Sequence, residues 1–185
     1  FFLLFDSAGA AADYALDYHR ALAHLAIAAR VGLHVGKVSL HENAPVDVAR
    51  GAKRIEVEGL AKPLAARIMG LARGGQTLLT AAARAALGDA LPEGSQVESH
   101  GHYRLKGIAE PLEVFELGRR DAAPFVPPPD ADKAFRVVRA GAFWQPAREV
   151  RDNLPAERDT FIGRKAELRS LAQRLDEGAR LLTVL

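Results

Sequence analysis

Residues 56–76 read EVEGLAKPLAARIMGLARGGQ, and the fold turns on how that stretch is parsed. Ile55 to Val57 suits a short strand leading into a helix over roughly residues 59–72, which Gly74 and Gly75 close. Pro63 falls in the first turn of that helix. There its missing N–H is one the helix leaves unpaired anyway, whereas deeper in the helix a proline costs about 3 kcal/mol. Arg67 follows four residues later, one turn on and on the same face. A guanidinium is always protonated and forks onto two oxygens, so an arginine placed there suits charge on phosphoryl groups. Lys62 precedes Pro63 directly, and adjacent helical residues diverge by about 100 degrees, so it reaches that face only by curling round.

Upstream, residues 1–5 (FFLLF) form an apolar run suited to a buried strand, and Asp6-Ser7 supplies an N-cap. Ala11, Ala15, Leu16, Leu22, Leu25 and Ala26 then recur at helical spacing, which predicts one long helix over residues 8–29. Residues 30–40, RVGLHVGKVSL, alternate as a strand with one buried face, and residues 41–53 read as a loop. Downstream come a strand at 76–79, a short helix capped by Thr80, a turn at 88–94, and a hairpin of strands 96–105 and 112–117. After Gly118 the text RRDAAPFVPPPDADKAF holds four prolines and marks an extended linker. Residues 136–151 leave room for a short strand, with Phe143 and Trp144 as apolar anchors. From Asn153 a turn leads to an amphipathic helix carrying Leu168, Leu171 and Leu175, then a buried strand at 181–185. The expected division is a domain at 1–118, a linker at 119–152 and the start of another domain at 153–185. The absence of an initial Met and the apolar ends read as a piece of something longer.

With 185 residues and 49% hydrophobic content the chain can bury a sizeable core. Lys and Arg total 25 against 23 Asp and Glu, so bulk charge makes no case for nucleic acid. Zero cysteines exclude a disulfide framework and a thiolate metal site, in keeping with a cytoplasmic location. No apolar run approaches the roughly 20 residues of a membrane span.

Taken in order, residues 1–118 resemble the second two thirds of a class III adenylate/guanylate cyclase catalytic domain, whose signature helix runs G-x-x-V-N-x-A-A-R. Gly59 and Arg67 match it, while Pro63 stands where the asparagine would be. Residues 30–36, RVGLHVG, resemble that family's R-[IV]-G-[IL]-H-x-G strand, and Arg104-Leu105-Lys106-Gly107 its L-K-G turn. The resemblance implies an α+β, ferredoxin-like sheet with helices packed on one face. It implies attack of a ribose 3'-hydroxyl on the α-phosphate of a nucleoside triphosphate, with Mg or Mn neutralising the phosphates. Arg67 is then the catalytic arginine and Lys106 binds triphosphate. Glu56 falls where the family reads the purine, Glu58 competing for that role, and Lys62 is the one candidate to stand in for the asparagine. The metal-binding aspartates precede Phe1 in the family's order, so no metal ligand is assigned to this chain, and Asp6 reads as a helix cap. His100 and His102 alternate on one strand, without a third ligand to complete a site.

Residues 161–168, FIGRKAEL, resemble the opening of AAA-like or STAND signalling ATPases. No G-x-x-x-x-G-K-[ST] occurs, so ATP hydrolysis is not assigned to this chain. The expectation is a signalling protein's cyclase domain forming cyclic AMP, ahead of cyclic GMP, paired in a homodimer or with another cyclase domain and attached to an ATPase domain. The fragment alone is expected to be inactive. The alternative is a degenerate regulatory or dimerisation module that controls the ATPase.

Overall fold

Ser7 starts the first helix: its backbone is extended and its hydroxyl accepts the Ala10 N–H at 3.1 Å. This computed structural model describes residues 1–89, 91–147 and 165–178, which divide into units 1–150 and 151–185. In the first unit α1 (Ala8–Leu22) precedes β1 (Val31–Leu33), β2 (Ser39–Glu42), α2 (Pro45–Ala49) and β3 (Ile55–Glu58). Then follow α3 (Ala61–Leu71), β4 (Thr77–Thr80), α4 (Ala81–Leu87), β5 (Ser95–Leu105), β6 (Leu112–Arg119), β7 (Ala134–Ala140) and β8 (Phe143–Pro146).

The main sheet has the order β1-β4-β6-β5-β7-β8, antiparallel throughout except for the parallel β1/β4 pair. A separate hairpin pairs β2 with β3. This is a mixed α+β fold with a mostly antiparallel sheet. β4 is buried at all four residues, and its neighbours Leu78 and Leu79 enter different cores. Adjacent strand residues point to opposite faces, so the sheet is covered twice. On the Leu78 face Ile68, Leu71 and Ala72 of the α3 region meet Tyr103, Leu105 and Val114. On the Leu79 face Ala12 and Leu16 of α1 join Ala83 and Leu87 of α4 over Leu117. The α+β class stands, but the single helical face expected from the sequence does not, because both sides of β4 and β6 are apolar.

Several boundaries also shift. Residues 1–5 form no strand, and Phe1, Phe2, Leu3 and Leu4 are exposed, since no described strand lies beside them to complete a ladder. α1 ends at Leu22, not 29; beyond it Leu25 and Ile27 are exposed and offer no burial to offset the ordering of further turns. The strand expected at 30–40 splits in two, with His34 turned to the Thr80 hydroxyl at 2.9 Å. The loop expected at 41–53 instead contributes the end of β2 and α2, whose first residue is Pro45.

The proline-rich segment is docked rather than free-running. The Tyr103 hydroxyl donates to the Pro128 carbonyl at 3.0 Å, and Gln76 Nε2 donates to the Val126 carbonyl at 2.7 Å. Burial raises the Tyr103 pKa to about 12. Gln76 Nε2 also donates to Glu116 Oε2 at 2.8 Å, and His100 Nε2 lies 2.7 Å from the same oxygen. Beyond this strap, β7 and β8 extend the sheet through Pro146, inside the stretch expected to be linker.

In the second unit α5 (Lys165–Asp176) places Glu167 in its first turn and Arg174 in its last, each complementing the helix dipole. The expected motif at 161–164 and strand at 181–185 lie outside the described residues.

Candidate functional site

Gly59 turns the chain from β3 into α3 with φ +115, a left-handed conformation that favours glycine. Leu60 occupies the N-cap without a side-chain hydrogen bond, and Pro63 is the third helical residue, within the first turn as the sequence required. The helix lies directly on β1 because Gly32 has no side chain there. A Cβ at that position would run into the Met69 backbone nitrogen and come within 2.5 Å of the Ala65 carbonyl.

One turn past Pro63, Arg67 is exposed, and its Nη1 donates to the carbonyl of Lys106 at 2.7 Å across 39 residues of sequence. Gly107, with φ +77, brings its backbone beneath the same guanidinium: a Cβ built there would lie 3.4 Å from both Nη atoms. Two of the expected phosphate-handling residues, Arg67 and Lys106, are therefore side by side. The turn that carries Lys106 is tied elsewhere as well. Lys106 donates its own N–H to the Lys133 carbonyl at 2.8 Å, Ile108 N–H bonds Leu105 O at 3.0 Å, and Arg104 Nη1 donates to Ala109 O at 3.3 Å.

Glu56 and Lys62 form a second grouping. Glu56 lies opposite His41 in the β2/β3 hairpin, and Glu58 lies opposite Ser39. Being two apart on one strand, the two glutamates share a side, and both are exposed. A cleft of about 310 Å3 is lined by Phe2, Leu4, Leu40, Lys53, Glu56 and Lys62, among others. Lys62 Nζ sits 5.6 Å from the centroid of the Phe2 ring, in a cation–π contact. Its ammonium is thus engaged over an aromatic ring rather than curled onto Pro63. The cleft offers apolar walls, two cations and one carboxylate.

Among the described residues no group of three or more His, Cys, Asp and Glu comes together to hold a metal. His100 is buried against Glu116, while His102 packs on Trp144 with ring centroids 4.6 Å apart. A register irregularity between Ser99 and His102 separates the two histidines into different surroundings. Asp6 lies outside the helix that Ser7 caps.

Sequence reasoning missed Phe2 and Lys133. Phe2 reads as a strand residue, and nothing in its type signals a lysine above it. Lys133 acts through its backbone carbonyl, which leaves no residue-type signal at all.

No family model matches the chain. It is 30% identical over 169 residues, 91% of its own length, to an uncharacterized protein of Mycobacterium tuberculosis and to one of Mycobacterium bovis. It spans 50% of those relatives, about half their length. No helix among the described residues is long and apolar enough to cross a membrane. Among solved structures, an adenylate cyclase of Trypanosoma brucei in its monomeric state is similar over 52% of this chain and 37% of its own, with 27% identity and a TM-score of 0.42. The adenylyl cyclase CyaB of P. aeruginosa is similar over 50% of this chain and 44% of its own, with 18% identity and a TM-score of 0.41.

Proposed function

We propose that residues 1–118 are the phosphate- and base-handling part of a class III nucleotidyl cyclase domain in a signalling protein, with ATP the substrate ahead of GTP and cyclic AMP and pyrophosphate the products. The observation that supports the reading is the meeting of Arg67 with the Lys106-Gly107 turn, because it brings together two motifs 39 residues apart in sequence. An arginine has five N–H donors. The Nη1 bond to Lys106 therefore leaves others to stabilise charge on phosphoryl oxygens during ring closure. Lys106, a flexible ammonium beside glycine, follows the triphosphate, and Glu56 accepts from the purine's amine. Mg or Mn supplies charge neutralisation in this chemistry. On this reading the chain's own contribution is positioning, and the fragment by itself is proposed not to turn over. The active assembly pairs the domain with a second cyclase domain. The C-terminal residues begin an attached ATPase domain, and the protein works in the cytoplasm without membrane or nucleic acid contact.

A second reading is favoured by Pro63. The proline offers no donor where the family's asparagine orients the ribose, and Lys62 is occupied over Phe2. On that reading the domain binds nucleotide or pairs with a copy, and regulates the attached ATPase without turnover. Assay of the full-length protein with ATP and GTP plus Mn, beside its Arg67→Ala variant, separates the two. Cyclic product that disappears in the variant is the expected outcome. Nucleotide binding without product in the parent would leave the regulatory reading standing and remove the enzyme.

A further inference from the structure

The Lys106 peptide is gripped on both sides. Its carbonyl accepts from Arg67 Nη1 at 2.7 Å, and its N–H donates to the Lys133 carbonyl at 2.8 Å. Lys133 belongs to the tight turn at 131–134, closed by Ala131 N–H to Ala134 O at 2.7 Å and Ala134 N–H to Ala131 O at 3.0 Å. That turn is fixed from outside by one side chain: Asp130 Oδ1 accepts the Arg136 N–H at 2.8 Å, bridging six residues across it. The preceding strap is pinned to the sheet at Val126 and Pro128.

We propose that Asp130 is a positioning residue for the phosphate site, holding the 131–134 turn so that the Lys133 carbonyl sets the Lys106 peptide, and with it the Lys106 side chain, against Arg67. The inference rests on the phosphate reading of Arg67 and Lys106. It extends that reading into residues beyond the signature motifs and makes β7, the strand that leads toward the C-terminal unit, part of the site's frame. The sign of the effect is its discriminating feature. Removing a carboxylate near a phosphate site strengthens anion binding through electrostatics alone, whereas loss of a positioning bond weakens it.

The test is calorimetric titration of the full chain with inorganic tripolyphosphate, together with hydrogen exchange at the Lys106 amide. Asp130→Ala is expected to weaken binding about fivefold, less than the full worth of a hydrogen bond to a carboxylate because the effect reaches the site through the turn, and to speed Lys106 exchange. Asp130→Asn, which keeps an oxygen acceptor, is expected to bind like the parent. Asp132→Ala, which removes an exposed charge from the same turn, is expected to bind as well or better. Unchanged or tighter binding by Asp130→Ala with unchanged Lys106 exchange would overturn the inference, as would loss of equal size in Asp130→Asn. Should Asp130→Ala fail to fold, the wild-type exchange decides. Lys106 protection comparable with Arg136 supports the clamp, and exchange as fast as at residues 109 and 110 refutes it. Failure of the parent chain to bind tripolyphosphate would take down the phosphate reading itself, while the exchange comparison still tests the clamp.

Discussion

At Gly32 a hydrogen is all that fits between β1 and α3. The atoms a Cβ would strike are the Met69 nitrogen, the Ala65 carbonyl and the Met69 Cβ, all backbone or fixed directly to it, so none rotates away as the end of a long side chain does. Gly32→Ala must push the helix off the strand, and with it Arg67, whose bond to Lys106 depends on where α3 lies. Overpacking of a close-packed site costs about 1–3 kcal/mol, and backbone collision places this case at the upper end. Urea denaturation of the variant should show a lower midpoint with an unchanged slope, and a midpoint equal to the parent's would refute the close approach. In the sequence Gly32 is merely the polar step of an alternating strand. Its reason appears only when the helix from residues 61–71 is laid across it. Pro63 and Arg67 differ in this respect, since both act within one helix. The first-turn placement of Pro63 and the face it shares with Arg67 follow from local spacing alone, and the structure keeps both.

At the scale of elements, the strap at 121–130 is where composition misleads. Four prolines and scattered charge do keep residues 123–130 out of helix and sheet, with Phe125 at φ +44, but irregular backbone says nothing about docking. The anchors sit far away in sequence: Gln76 just before β4, Tyr103 on β5, Glu116 on β6. Gln76 and Glu116 are fully buried polar residues in strand-like runs, and burial of this kind demands partners. Gln76 satisfies it by donating to both Glu116 and the Val126 carbonyl while its own oxygen accepts the Arg73 N–H at 2.8 Å. Gln76→Leu removes all three bonds, and a buried group left without its partner costs about 1–3 kcal/mol. The expected outcome is a destabilisation of that size, accompanied by faster limited proteolysis within residues 119–130. Proteolysis as slow as the parent's would mean that the Tyr103 bond to Pro128 holds the strap without Gln76. By contrast the β5/β6 hairpin, with its alternating residues around a Lys-Gly turn, was legible from sequence because its pairing is local.

Across the molecule, the two-sided sheet was hidden by the same feature that builds it. β4 reads as a short run of apolar and threonine residues, and a run without alternation does not say whether one face or two is covered. A histidine reaches each end of β4: His19 of α1 lies 3.0 Å from the Thr77 hydroxyl, and His34, just past β1, lies 2.9 Å from that of Thr80. Burial lowers the pKa of both rings from the ordinary 6.5, a backbone contact with Gln76 partly offsetting it at His19. The folded state thus prefers each ring neutral. In the unfolded chain both take up protons near pH 6.5, so the stability they contribute is fully present above that pH and is lost as the pH falls toward their lower folded values. The unfolding temperature should therefore hold steady between neutrality and about pH 6.5 and decline on further acidification before the carboxylates titrate. Replacing both rings by glutamine, which keeps a hydrogen-bonding partner for each threonine but cannot be protonated, should flatten that decline. An acid limb equally steep in the double variant would place the pH dependence elsewhere in the chain.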